Sequence, residues 1–364
     1  MGGRTRSIAR WIGYVAGALA VVTVFALVIG TGYQYLQNRR DLQQHPAPGQ
    51  LVDIGGHRLH LWCTGAGSPV VVLEVGGGGN VLEWNRVQPE VAKTTRVCSY
   101  DRAGFGWSEL GPNPRSAVEI VSELHSLLQA AHVSGPYILA GHSIGGLFVR
   151  LYATTYSADV AGMVLVDATH EDLQRRMPPE AGASGGNPLL LHLVLNLHKF
   201  MVVSGYARLT GVRLVMPGRV LTPEARTLAE GIKVRTTVPF ADAGESLALE
   251  ESMTQVRRTR RVLDVPLVVV TRGRYDGLQR LPKETQGRIR DAWENMQADL
   301  VKLSSQGTQT VATNSDHYVH LGQPDVVVDA IWKVVAKARL SAAARAEGSQ
   351  SSIGADSRAA ARPQ

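Results

Sequence analysis

A serine stands between glycines in Gly141-His142-Ser143-Ile144-Gly145, where the apolar run 137–140 gives way to a helical pattern beginning near Leu147. A serine hydroxyl is a weak nucleophile until a base takes its proton. Glycines two positions before and two after it permit a tight strand-to-helix corner that would lift the hydroxyl clear of its surroundings. A helix N-cap serine is the plainer use of the same residue. The reactive reading requires a strand, a sharp turn and a helix, followed along the chain by an acid and then a histidine. Asp167, Asp276 and His317 lie downstream, each just past an apolar, strand-like run. Upstream, the glycine run 76–79 and Asp101 occupy similar positions.

Those positions depend on the elements around them. Residues 51–54 and 57–62 read as a hairpin around Gly55-Gly56. Further strand patterns cover 70–73, 96–100, 137–140, 163–166, 266–270 and 308–312. Helical patterns fall between them, near 84–92, from Ser116 with Glu119 as a capping box, after the corner at Ser143, over 284–304 and over 325–338. Alternating strands and helices predict a doubly wound, mostly parallel sheet. In such sheets ligands bind at the carboxyl ends of the strands. One edge therefore gathers Ser143, Asp167, Asp276, His317 and the glycine run.

In this order of features the chain resembles the α/β-hydrolase superfamily, and its serine-hydrolase, esterase-like members in particular, over about residues 50–338. The resemblance implies an eight-stranded sheet with a helical cap inserted at about 169–264. It implies Ser143 as nucleophile and His317, in Ser315-Asp316-His317, as the base, with His320 as a nearby competitor. Asp276, in Gly273-Arg-Tyr-Asp276, takes the family's usual acid position, and Asp167 is the alternative used by some relatives. The backbone N–H groups of Gly77 and Ile144 would form the oxyanion hole, although Val75-Gly76 stands where the family often has His-Gly. Asp101-Arg102 reads as a buried ion pair or loop lock, and His142 as packing.

The expected activity is cleavage of an ester of an apolar acid or alcohol through an acyl-enzyme. Peptidase, thioesterase, C–C hydrolase and haloperoxidase chemistry share the triad and stay open, as does a non-catalytic, membrane-anchored binding protein. Serine at the corner argues against haloalkane dehalogenase and epoxide hydrolase chemistry, which use an aspartate there. Leucines and valines of the cap, in 189–197 and 200–203, suit either an apolar acyl or alcohol group beneath it or a lid helix packing on the sheet. No cofactor is expected, and with two cysteines and no C-x-x-C pair no structural zinc site is expected either.

The net charge of +7 comes from scattered basic residues and arginine clusters, so a nucleic-acid partner is not expected. Residues 11–32 are uncharged and apolar, long enough at 1.5 Å per residue to cross a bilayer. They read as an uncleaved anchor after a cytoplasmic segment 1–10, with a polar linker at 33–49. Arginines ahead of the span favour a single-pass protein of the cell membrane whose catalytic domain is extracytoplasmic. An Ala-, Ser- and Arg-rich tail, 339–364, is expected to be disordered. In the fold that the resemblance implies, Cys63 and Cys98 lie on neighbouring strands and would pair as a disulfide.

Overall fold

The structure, a computed structural model, describes residues 2–182, 187–211 and 221–359. Parts of the expected cap (183–186 and 212–220) and the end of the expected tail (360–364) lie outside the described residues.

Eight strands form one sheet: β1 (Gln50–Asp53), β2 (Arg58–Thr64), β3 (Val70–Glu74), β4 (Val97–Asp101), β5 (Tyr137–His142), β6 (Val160–Val166), β7 (Leu263–Arg272) and β8 (Ser304–Ala312). Their spatial order is β1-β2-β4-β3-β5-β6-β7-β8. β1, β2 and β4 pair antiparallel, and β4 onward is parallel. The central strands alternate between two buried faces. Val72, Leu139 and Leu165 join one core, while Val71, Ile138 and Val164 join the other. Strands covered on both faces by helices need apolar residues at every position, which is why these runs do not alternate with polar residues.

The helices that matter for the site are α1 (Gly2–Gln44), α2 (Ala117–Ala130), α3 (Gly145–Thr155), α4 (Pro188–Val203), α5 (Val238–Leu247), α6 (Lys283–Val301) and α7 (Pro324–Ala359). Leu124 of α2 and Leu147 of α3 pack on the first face, and Ile331 and Val334 of α7 on the second. Cys63 and Cys98 are directly opposite in the β2–β4 ladder and are disulfide-bonded.

Two termini differ from the sequence expectation. α1 runs on to Gln44, so most of the expected linker is helical. Its last turns are held by the cap: buried Gln34 donates to the Val234 carbonyl at 2.7 Å and accepts from Arg208 Nε at 2.8 Å, and Arg208 pairs with Asp41 at 2.7 Å. α7 continues to Ala359, through residues expected to be disordered. Alanine and arginine are strong helix formers, and the well-packed first turns of α7 supply the nucleus.

Candidate active site

The corner at Ser143 is built by crowding. Ser143 itself has φ 52°, a left-handed conformation uncommon outside glycine. A Cβ on Gly141 would sit 2.6 Å from the Gly145 carbonyl oxygen, one on Gly145 would sit 2.5 Å from that of Val75, and one on Gly146 would sit 2.4 Å from the Ala168 Cβ. Side chains at any of these positions would push the strand, the glycine loop or the loop after β6 away. The strain at Ser143 is thus maintained by packing on three sides. α3 starts immediately after it, so its N-terminal positive end faces the hydroxyl.

His317, in the loop after β8, reaches Ser143 Oγ through Nε2 at 3.0 Å. Its Nδ1 lies 2.6 Å from Asp167 Oδ2. A carboxylate only accepts, so Nδ1–H donates to it and Nε2 is left to accept the serine proton. Asp167 follows β6 directly and is fully buried. Its Oδ1 accepts from Trp293 Nε1 of α6 at 2.8 Å and from the Arg272 N–H at 3.2 Å, and Arg272 Nε lies 2.8 Å from Oδ2. Burial alone would raise the Asp167 carboxyl, but the His317 hydrogen bond and the Arg272 charge outweigh it and hold the group below its usual range.

Asp276 does not take part. The structure corrects the expectation that places it against the histidine: its exposed carboxylate is bound to Arg274 at 2.7 Å. The physical reason is the three residues between β7 and Asp276, which carry it outward, whereas Asp167 is the first residue after its strand. The alternative acid is therefore the one that meets His317. His320, the competing histidine, is buried, with its Nε2 3.5 Å from a Glu83 carboxylate oxygen.

Gly77 and Ile144 adjoin. A Cβ on Gly77 would lie 3.3 Å from Ile144 Cδ1, and one on Gly76 would lie 3.2 Å from Ser143 Cβ. The glycine loop is held from behind by Arg102, which is fully buried. Its guanidinium donates to the carbonyls of Val75 and Gly76, both at 2.9 Å, and pairs with Glu74 at 2.6 Å and with Glu245 of α5 at 2.7 Å. Asp101 bonds His60 at 2.7 Å and the Val81 and Trp107 N–H groups. Asp101-Arg102 thus forms buried ion pairs and locks its loop, as the sequence suggests.

His142 is also buried, and its Nε2 donates to the His317 carbonyl oxygen at 2.9 Å, which fixes the backbone of that loop. Burial, then the neighbouring His320 and His317, keep its imidazole well below the usual histidine range, so it stays neutral. Glu83, His142 and His320 bring one potential ligand atom each within 4.8 Å of one another, a spacing that their contacts with each other and with His317 account for. Sequence reading missed Trp293, Arg272 and Glu245. Each reaches the site from an element far along the chain, and no local pattern marks them.

A cleft of about 370 Å³ opens beside His317, with apolar walls from Leu173, Met177, Leu278, Ile289 and Trp293. Asp276 lines its outer part. The leucines of α4 do not line this cleft: Leu189, Leu190, Leu193 and Leu197 are exposed. The stretch thus divides: these leucines face outward, while Leu195 and Val202 of the same helix are buried.

The sequence model of the alpha/beta hydrolase family matches residues 70–330. The chain belongs to the alpha/beta hydrolase family. Among curated relatives, a Hormonema carpetanum protein named as a transporter is 39% identical over 136 residues, covering 35% of this chain and 20% of that protein. An uncharacterised Schizosaccharomyces pombe protein is 26% identical over 331 residues, covering 79% of this chain and 56% of that one. The chain thus spans about a fifth and about half of these relatives. The solved structure of an enol-lactonase from Burkholderia xenovorans is similar with TM-score 0.56 and 16% identity, over 79% of this chain and all of that one. At that identity the likeness is one of fold, and this family member shares the eight-stranded hydrolase sheet with it.

Proposed function

We propose that the chain is a membrane-anchored serine hydrolase that cleaves an ester of an apolar acid or alcohol. The observation that carries this reading is His317 bridging Ser143 Oγ and the buried Asp167 carboxylate. Ser143 attacks the ester carbonyl while His317 Nε2 takes its proton. Asp167 holds the imidazole in the required tautomer and stabilises the imidazolium. The N–H groups of Gly77 and Ile144 receive the oxyanion, and preorganised donors of this kind contribute about 3–4 kcal/mol each. His317 then gives its proton to the departing alcohol, leaving an acyl-Ser143. Water, deprotonated by the same imidazole, releases the acid.

The apolar walls of the cleft beside His317 support an apolar substrate group. α1 is long and apolar enough to cross a membrane, with the apolar window wholly exposed, which supports the anchor. The Cys63–Cys98 disulfide supports a catalytic domain outside the cytoplasm, where such bonds persist.

A fluorophosphonate probe should label the full chain, and Ser143→Ala should abolish both the label and ester hydrolysis, by about 10⁴-fold or more, with an unchanged melting temperature. Full activity in Ser143→Ala would sink the reading.

A further inference from the structure

The cap presents an apolar face that the catalytic cleft does not use. Leu189 is 76% exposed, Leu193 63% and Leu209 70%, and Leu197 and Phe200 lie on the same outward side. The opposite side of α4, at Leu195, His198 and Val202, is buried against the domain. Leu189, Leu193, Leu197 and Phe200, spaced four, four and three residues apart on one side of α4, are more than scattered exposure accounts for, and Leu209 is exposed on the short helix that follows.

What covers this face is indicated by where α4 ends. A Cβ on Gly30 would lie 2.3 Å from the Ser204 carbonyl oxygen, and one on Gly205 would lie 2.8 Å from that of Gly30. The close approach is possible only because both positions are glycine. Gly30 is near the end of the apolar run of α1. The carboxyl end of α4 is therefore fixed at the level where α1 would leave hydrocarbon. α4 is about 24 Å long at 1.5 Å per residue, and its exposed apolar side starts from that level. From Pro188 to Gly211 the cap carries no acidic residue, and its charges are Lys199 and Arg208. Arg208 is already paired with Asp41, which leaves Lys199 as the cation of α4, and an apolar face that carries a lysine and no carboxylate of its own suits a helix lying at the boundary of an anionic bilayer.

We infer that α4 and the short helix after it lie in the interface of the same bilayer that α1 crosses, so that the cap is a second, peripheral membrane contact. This inference rests on reading α1 as a span. It makes the bilayer surface the platform beside the site, and assigns the substrate to molecules held in that surface. The same face could be met by a second copy of the chain or another protein, in which case lipid would not reach it.

The test uses the full chain in vesicles of phosphatidylcholine and phosphatidylglycerol containing a nitroxide-labelled lipid. An environment-sensitive fluorophore is placed in turn at Leu193→Cys, Leu197→Cys, Val21→Cys and Val262→Cys. Val262 is exposed at the opposite end of β7 and serves as the aqueous control. Labels at Val21, Leu193 and Leu197 should each lose about half their emission to the nitroxide lipid, with Val262 unaffected. Lipid quenching at Val21 with only aqueous iodide quenching at Leu193 and Leu197, or shielding from both quenchers there, would overturn the inference and leave the anchor standing. Absence of lipid quenching at Val21 would overturn the anchor and, with it, this inference.

Discussion

The loops after β6 and after β7 both carry an aspartate at the catalytic edge of the sheet, yet they are built differently. In the first, Asp167 sits at φ 42° directly on its strand, fully buried, with contacts to His317, Trp293 and Arg272. His170, Glu171 and Asp172 follow, and Glu171 is buried against Arg150 at 2.5 Å. In the second, Asp276 is exposed and bound to the Arg274 side chain, and Gly277 has open space around it. A carboxylate can orient an imidazole only where water cannot compete for it and where other donors fix its second oxygen. Depth and convergent partners, not position after a strand, separate the two.

The largest test of this difference is a pair of isosteric changes. Asp167→Asn should lower kcat/KM by about 10³–10⁴-fold, because the amide no longer fixes the tautomer. Asp276→Asn should stay within about threefold, as an exposed pair contributes little. Steady-state hydrolysis of one soluble ester by both variants decides it, and the reverse ranking would return the acid to the loop after β7.

A smaller effect is expected from adding one methyl group near each loop. Gly146→Ala would press on Ala168 and should cost about 1–3 kcal/mol in denaturant unfolding. Gly277→Ala should change stability by about 0.5 kcal/mol or less. Equal losses would mean that the β6 loop is not the tighter of the two.

The smallest is a pH effect. Burial first, then the charges of Arg150 and Arg260, push His170 down to about 4 against the pull of Glu171. The unfolded chain takes up this proton below about pH 6.5 while the folded chain refuses it until about pH 4, so stability falls as pH drops through that window. Between pH 7 and pH 5 the loss from this residue is about 1–2 kcal/mol. Melting curves of His170→Gln should show a shallower decline, and an unchanged slope would contradict the assignment.

Much of this edge was legible in the sequence. The corner at Ser143 announces itself because its requirements are local: a strand, glycines at fixed offsets and a helix. The place of His317 after the last strand follows from the order of elements, and the cysteine pair follows from the fold that the resemblance implies. Which carboxylate meets His317 was not legible, because that depends on Trp293 and Arg272, which lie 126 and 105 residues away along the chain. Position along the sequence placed both aspartates at the right edge but said nothing of depth. The cap stayed open between two readings for a related reason. A leucine-rich helix has the same composition whether its apolar side looks in or out, and only its neighbours decide. The continuation of α1 beyond the apolar run depends on Gln34 and Asp41 meeting cap residues, again a distant pairing.

The guanidinium of Arg102 has a mechanical consequence. It clasps the carbonyls of the glycine loop with one side and Glu245 of α5 with the other. Swinging α5 outward would leave a buried charge with half its counter-ions, and breaking such a pair costs about 3–5 kcal/mol. An opened form hinged there would hold roughly one molecule in 10²–10³ or fewer at any instant. The part of the cap that carries α5 is therefore clamped to the glycine loop and moves with it rather than as a hinged flap.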